Sequence, residues 1–412
     1  MISTDSQLSR GSGSSGTSAE SSPWSKGDTY RTTAAALIVA VLLGLAYVLS
    51  GREGTGAQAS FSLLIGISLG IIFERARFCF FCIFRDAIED RNTTPILSVL
   101  SAIAVGSVGY AILFGQFLPD TSTEYFPPNA HIGPVSWVLA VAGLVFGIGM
   151  TLSGACISGH LYRIGQGSIR AFPALFGSLI GFGLGFATWN KLYLSTLISA
   201  PKTWLPHTFG YAGSLFITSA VLLALALIAR RWRATSEPIS NEPSKNFYTA
   251  LIVKRWPPLL SGALVGVIGT VAYLRIEPLG VTRQLSTTAR TVLSDRGYLP
   301  ETLEGLDVMK GCIAVISSTV TNNGWLIIGI VFASLAAALA GNRFSWQSIT
   351  VKNGFTALIG GVLLGWSSMI ALGCTVGVLL SGTQAFAVSG WVFFATVFIG
   401  TVASIKLKLH KI

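Results

Sequence analysis

Apolar runs of nearly equal length follow one another along most of the chain, and they constrain its fold more than any other feature. A helix that crosses a bilayer needs about 20 consecutive apolar residues. Ten runs approach that length, near residues 33–50, 59–74, 96–116, 135–153, 171–189, 213–230, 258–275, 324–341, 354–372 and 385–404. Only 11% of the 412 residues are charged, whereas soluble domains average about 25%. The sequence predicts an all-α polytopic membrane protein with about ten hydrophobic spans.

Basic residues outnumber acidic ones, and their distribution predicts an orientation. The formal net charge of +11 is typical either of nucleic-acid binding or of the Lys and Arg excess in the cytoplasmic loops of membrane proteins. With the N-terminus in the cytoplasm, twenty of the 28 Lys and Arg residues fall on the cytoplasmic side of the ten spans. We therefore expect both termini to be cytoplasmic, and we expect no nucleic-acid partner.

One glycine and cysteine pattern occurs twice. Residues 143–159 (GLVFGIGMTLSGACISG) and 361–377 (GVLLGWSSMIALGCTVG) share G-x3-G-x8-C-x2-G at a constant offset of 218. A weaker pair matches Gly66 and Gly70 with Gly262 and Gly266. Both pairs lie five spans apart, so the copies run antiparallel, as in the inverted-topology repeats of transporters. The G-x3-G spacing is also typical of close helix packing, because small residues let two backbones approach each other.

The cysteine that follows each long copy predicts a broken or re-entrant helix. Irregular backbone at membrane depth is tolerated only where it lines a cavity or is buried in protein. The residues that support these two breaks are Gly154, Ser158 and Gly159 beside Cys156, and Gly373, Thr375 and Gly377 beside Cys374. The short stretch 308–320 (DVMKGCIAVISST) predicts a further half-helix.

The repeat also predicts how the chain is organised. Residues 1–31, rich in Ser and Gly, predict a disordered cytoplasmic tail. A first membrane repeat at 32–230 is expected to be followed by a cytoplasmic linker at 231–257 and a second membrane repeat at 258–412.

The chain has five cysteines: Cys79, Cys82, Cys156, Cys312 and Cys374. An odd number argues against a fully paired disulfide framework. The four histidines are scattered, and none repeats at metal-ligand spacing with a cysteine pair. We expect no bound metal and no cofactor.

Residues 74–86, ERARFCFFCIFRD, place two of these cysteines among charged residues. Cys79 and Cys82 have the C-x-x-C spacing of thiol–disulfide exchange proteins, which leaves a membrane thiol oxidoreductase as an alternative function. Arg77, and Arg275 near the end of the seventh span, have two interpretations. They form an anion-attracting vestibule, or their side chains simply reach the lipid headgroups.

The residues around the thiols limit the functions that these cysteines can have. Nucleophilic catalysis requires a partnering base, and none sits beside Cys156 or Cys374, so we do not expect an enzyme. A pathway for a soft metal through sulfur ligands would be expected to contain successive methionine ligands. The four methionines of the chain do not form such a series. A weak S–H donor among small residues fits a soft, sulfur-bearing anion.

These motifs resemble those of the YeeE/YedE family of bacterial sulfur-compound transporters. The matching stretches are ERARFCF with FRD after it (74–86), GIGMTLSGACISGHLYRIGQGS (147–168), EPLGVT (277–282), GWSSMIALGCTVGVLLSGTQ (365–384) and SGW (389–391). The resemblance implies an hourglass-shaped transporter with an inverted repeat, in which three cysteines hand thiosulfate across by thiol hydrogen bonds to its sulfur. They fall on Cys79, Cys156 and Cys374, whereas Cys82 stands where the family usually has a small residue.

We therefore expect an importer of a small sulfur-containing anion, with thiosulfate as the first candidate, in the bacterial inner membrane. No G-x-x-x-x-G-K-[ST] motif for ATP is present. A cytosolic sulfurtransferase partner is an expectation from the resemblance. The alternatives are the thiol oxidoreductase and a channel or transporter for another solute, including the other sulfur or selenium compounds linked to longer family members.

Overall fold

The computed structural model describes residues 26–233, 254–300, 302–306, 316–317 and 319–411. Within these residues the chain forms thirteen α-helices and no β-strand, so the all-α prediction is confirmed. In chain order they are α1 (Lys26–Ser50), α2 (Gly56–Ala76), α3 (Phe80–Glu89), α4 (Ile96–Phe117), α5 (Trp137–Ser153), α6 (Ile157–Gly165), α7 (Ala171–Ser195), α8 (Leu205–Trp232), α9 (Pro258–Arg275), α10 (Arg283–Asp295), α11 (Asn322–Ala340), α12 (Val351–Ile370) and α13 (Val388–Lys406). A π-helical segment (Thr375–Gly382) and two 3₁₀ turns (Leu197–Ser199 and Leu409–Lys411) complete the regular structure.

Ten helical segments of the described chain are long and apolar enough to cross a membrane. Each overlaps one of the ten predicted runs, so the predicted number of spans is confirmed. Two of the segments, Gly56–Glu89 and Trp137–Gly165, contain a break, after α2 and after α5. The largest shift of a boundary is at α8, which begins at Leu205 because a kink at Gly210 (φ 63°) joins a short N-terminal stretch to the apolar run.

Several sequence predictions concern segments at the edge of the described chain. The half-helix predicted at 308–320 lies mostly outside the described residues, as do Cys312, residues 1–25 of the predicted tail and residues 234–253 of the predicted linker. The helix α1 begins at Lys26, ahead of the predicted end of the tail at residue 31. Its first turns continue the helix of the apolar run, and Thr33 Oγ1 donates to Thr29 O within them.

The repeated glycines lie where helices cross at close range. A Cβ atom added to Gly66 in α2 would overlap Leu326 O of α11, and one added to Gly262 in α9 would overlap Ser98 O of α4. In the stronger repeat, a Cβ on Gly147 in α5 would come within 2.5 Å of Val397 O in α13. The backbones approach more closely at these crossings than any side chain allows, which agrees with the packing interpretation of the G-x3-G spacing.

Candidate functional site

Cys79 lies in the break between α2 and α3. Arg77 ends α2 in a left-handed conformation (φ 52°), and Cys79 then caps α3 with extended backbone. A left-handed conformation is unfavourable for a residue other than glycine, and the turn is fixed by hydrogen bonds from Phe78 N to Phe73 O and from Cys79 N to Arg77 O. The turn leaves the Cys79 thiol at the N-terminus of a short helix.

Cys156 lies in a similar break between α5 and α6. Gly154 ends α5 with φ 87°, a conformation that glycine adopts without strain, and Cys156 caps α6 with extended backbone. The loop is held from two sides, because Ser153 Oγ donates to Ala155 O at 2.9 Å and Arg163 donates to Gly154 O at 2.9 Å. Gly154 therefore provides the turn that the sequence predicted beside this cysteine.

The two breaks meet, and the Cys79 and Cys156 thiols lie next to each other on either side of Gly159. Both side chains are fully buried. Gly159 lies against both, since a Cβ atom added there would come within 2.8 Å of Cys79 Sγ and 3.4 Å of Cys156 Sγ. Cys156 Sγ also faces Ser158 Oγ at 3.3 Å and lies near the N–H groups of Phe80 and Gly159. The structure thus brings together Cys79, Cys156, Ser158 and Gly159 of the predicted site.

Cys82 belongs to the same cluster, although the family resemblance gave it no role. Its thiol contacts that of Cys79 across the first turn of α3. On the other side, Arg163 Nη2 donates to Cys82 Sγ at 2.7 Å. Cys79, Cys82 and Cys156 are free thiols, and we call them the thiol cluster.

Cys374 lies in a third break, which has different neighbours. Leu372 (φ 61°) and Gly373 (φ 158°) separate α12 from the π-helical segment, and Cys374 precedes that segment. The thiol is buried, as is the hydroxyl of Thr375, which has no hydrogen-bond partner in the described chain. His131 covers this loop, because its Nε2 atom lies 2.8 Å from a Cβ built on Gly373. Gly377, buried one turn further on, lies inside the π-helical segment.

A cavity of about 330 Å³ lies beside the thiol cluster, and its titratable lining residues are all basic. They are Arg85, Arg163, Arg170, His160 and His410. Among the described residues that line it there is no Asp or Glu. Arg163 joins the two features, since the guanidinium that donates to Cys82 also faces this space. We call it the arginine cavity, and its charge favours anions.

The two arginines predicted to attract anions lie elsewhere. Arg77 is exposed at the end of α2, and Arg275 is exposed at the end of α9 with its guanidinium 5.7 Å from the centre of the Phe61 ring. Neither lines the arginine cavity. Sequence reasoning missed Arg163 and Arg170, although the signal was present. Both follow Cys156 closely, and Arg163 stands inside the motif quoted for the resemblance.

Comparison with known proteins identifies the family. The family described as Sulphur transport matches residues 75–403, a range that includes all three breaks. The chain belongs to the sulphur transport family. The resemblance to sulfur-compound transporters predicted from the motifs is confirmed, and with its ten apolar helices this member of the family is a multi-pass membrane protein.

Relatives of this sulphur transport family member include named transporters. It is 25% identical to the thiosulfate transporter TsuA of Escherichia coli (strain K12) over 342 residues, which is 82% of this chain and 91% of the relative. It is 27% identical to the thiosulfate transporter TsuA of Spirochaeta thermophila over 346 residues, 80% of this chain and 92% of the relative. The probable transporter YedE of Escherichia coli is 28% identical over 171 residues, 42% of this chain and 40% of that protein. These relatives are transporters, in agreement with the expectation that the chain is not an enzyme.

Proposed function

We propose that the chain imports a small sulfur-containing anion, with thiosulfate as the first candidate, across the bacterial inner membrane. Membership of the sulphur transport family and the similarity to two proteins named thiosulfate transporters support this proposal. The observation that carries it is the proximity of two buried thiols, Cys79 and Cys156, each at the N-terminus of a short helix and beside a basic cavity. A cytosolic sulfurtransferase that consumes the imported sulfur is part of the proposal.

The donors around Cys156 match the two ends of such an anion. An S–H group is a weak donor that suits a large, polarisable sulfur atom, and backbone N–H groups at helix N-termini favour negative charge. Phe80 and Gly159 supply such N–H groups from α3 and α6. A buried ion needs compensating donors, because removing it from water costs several kcal/mol. Here the compensation comes from groups that are already in place.

Cys374 is the third thiol of the proposed pathway. It lies in the second copy of the repeated motif, it is buried, and it precedes a short helical segment as Cys79 and Cys156 do. We infer that the anion passes from one half of an inverted repeat to the other. It would meet Cys374 at the break after α12, and the Cys79–Cys156 pair where the other two breaks meet. The paired glycine contacts of the two halves support this inference.

Uptake of ³⁵S-labelled thiosulfate into cells that lack other importers tests the proposal. Single Cys→Ala variants at Cys79, Cys156 and Cys374 should reduce uptake by about 10–100-fold, because a hydrogen bond to a charged group contributes about 1.5–3 kcal/mol. Expression and detergent-solubilised monodispersity of each variant must match the wild type. Uptake at the wild-type rate in a Cys156→Ala, Cys374→Ala double variant would falsify the proposal.

A variant at Cys82 distinguishes the transport proposal from the oxidoreductase alternative. The contact between Cys79 and Cys82 at the start of α3 is the observation that favours redox chemistry. On the transport proposal, Cys82→Ala keeps most of the uptake, because the Cys82 thiol already accepts a hydrogen bond from Arg163. A Cys82→Ala variant that loses uptake, together with a Cys79–Cys82 disulfide isolated from cells, would support the alternative.

A further inference from the structure

The arginine cavity holds more positive charge than its surroundings neutralise. At its rim Arg85 forms an ion pair with Asp86 at 2.7 Å, and the His410 ring lies 2.9 Å from the Glu89 carboxylate. Deeper inside, neither Arg163 nor Arg170 forms an ion pair with a carboxylate of the described residues. The unpaired charge therefore lies on the side of the cavity that faces the end of α5.

The two inner arginines are fixed in place by neutral groups. Arg163 donates to Gly154 O at 2.9 Å, and Arg170 donates to Leu152 O at 2.7 Å. These acceptors are backbone carbonyls at the C-terminal end of α5, so they orient both guanidinium groups without cancelling their charge. Burial, and then the nearby charge of Arg163, lowers the pKa of Arg170 below its ordinary value. The two cations thus lie close enough to repel each other.

An unpartnered donor faces the same space. Arg170 Nε is buried and has no hydrogen-bond partner in the described chain. Buried polar atoms are normally hydrogen-bonded, and two partly buried guanidinium groups without a counter-ion are costly. An anion from solution would satisfy both requirements.

We propose that the arginine cavity is a binding site for a tetrahedral sulfur oxyanion, formed by Arg163 and Arg170 and separate from the thiols. This inference rests on the proposed function, and it assigns the two ends of the anion to different residues. The thiol cluster contacts the terminal sulfur of the transported anion, whereas the guanidinium groups bind the oxygens, for which their planar donor geometry is suited. Arg163 touches both places, so an anion that leaves the thiols meets the oxygen site next.

Sulfate is the probe that isolates this site, because it has the oxygens of thiosulfate but no terminal sulfur. Binding of ³⁵S-sulfate to the purified full-length protein in detergent should be saturable and should resist a tenfold excess of chloride. Arg170→Gln should weaken it at least tenfold, whereas Cys156→Ala should leave it unchanged. Arg91→Gln is the matched control, since Arg91 is an exposed arginine that packs on Trp232 outside the cavity. It should bind sulfate like the wild type.

Arg170 also holds Leu152 O, so a second variant guards against misfolding. Arg170→Lys keeps the charge but not the planar donor pair, and it should give intermediate affinity with a wild-type elution profile. Wild-type protein that binds sulfate no better than chloride, or an Arg170→Gln variant with wild-type affinity, overturns the inference. In either case, thiol-dependent thiosulfate uptake would still stand. Conversely, sulfate binding in a protein that takes up no thiosulfate would overturn the proposed function and leave the oxyanion site intact.

Discussion

Gly159 is the single residue that lets the two thiols of the proposed pathway meet. The space for its Cβ is already filled by Cys79 Sγ and by Ala155 Cβ, at 2.8 and 3.0 Å. The hydrogen at position 159 is therefore what brings α6 against the Cys79 break. A larger residue has to move one thiol away from the other.

Gly159→Ala should consequently reduce thiosulfate uptake by about 5–100-fold, because overpacking at a buried site costs about 1–3 kcal/mol. The measurement is the initial rate of labelled uptake at equal expression. Gly115→Ala is the control, since a Cβ added to Gly115 meets nothing within 4 Å. Equal rates for Gly159→Ala and the control would contradict the contact.

His131 makes the stability of the protein depend on pH. Burial lowers the pKa of this loop histidine from 6.5 to about 4. As pH falls below 6.5, the unfolded chain takes up a proton that the folded chain does not, so the free energy of unfolding decreases until pH 4. The loss from this one residue is about 2 kcal/mol by pH 5. His131→Gln should therefore show a smaller drop in melting temperature between pH 7 and pH 5 than the wild type.

Differential scanning fluorimetry in detergent at pH 7, 6 and 5 provides that comparison. The measured quantity is the slope of melting temperature against pH, which a uniform destabilisation by the variant does not change. Identical slopes for the two proteins would show that His131 is protonated in the folded state.

At the scale of the elements, the sequence predicts how long the helices are and where they break. It says much less about which side chains contact each other. Ten spans follow from apolar length alone, and Gly154 marks the turn at Cys156 because its neighbours in the chain create it. The contact of Arg163 with Cys82 joins residues 81 positions apart, so no local pattern encodes it. Arg77 stands two residues before Cys79 in the sequence, yet it lies exposed at the end of α2 and does not line the arginine cavity.

The helix crossings predict that alanine destabilises the protein at one glycine and not at another. Gly262→Ala in α9 should lower the free energy of unfolding by about 1–3 kcal/mol, because the added methyl group overlaps the backbone of α4 at Ser98 O and backbone cannot rotate aside. Gly44→Ala in α1 should be neutral or slightly stabilising, since its Cβ meets nothing within 4 Å and alanine is the better helix former. Melting temperatures measured in the same detergent compare the two. A Gly262→Ala protein as stable as Gly44→Ala would show that α4 and α9 do not cross there.

Across the whole molecule, the helix–helix contacts occur in pairs that a two-fold rotation would interchange. α2 packs on α11 as α9 packs on α4, and α5 packs on α13 as α12 packs on α7. The short elements follow the same exchange, with α3 against α13 and α10 against α7. We propose that a pseudo-two-fold axis relates α2, α4, α5 and α7 to α9, α11, α12 and α13. The packing of α1 on α11 and of α8 on α4 favours five spans per repeat, with α8 opening the second repeat, rather than a boundary at residue 230.

This arrangement predicts which face each loop occupies. The loop at 118–136 and the loop at 341–350 are separated by five of the ten spans, an odd number, so they lie on opposite sides of the membrane. The distribution of Lys and Arg predicts that 341–350, and with it the arginine cavity, faces the cytoplasm. The site for oxygens would then lie on the cytoplasmic side of the thiol cluster, where an imported anion arrives last.

Cysteine labelling in intact cells tests this orientation. Glu124→Cys and Ser348→Cys place exposed thiols in the two loops, and a Cys312→Ser background removes the native cysteine that follows α10 in the sequence. A membrane-impermeant maleimide should label Glu124→Cys in intact cells but Ser348→Cys only after permeabilisation. Cys79, Cys156 and Cys374 serve as internal controls, because they are buried and should react slowly in both conditions. Labelling of Ser348→Cys from outside would reverse the orientation and make the arginine cavity an entrance rather than an exit.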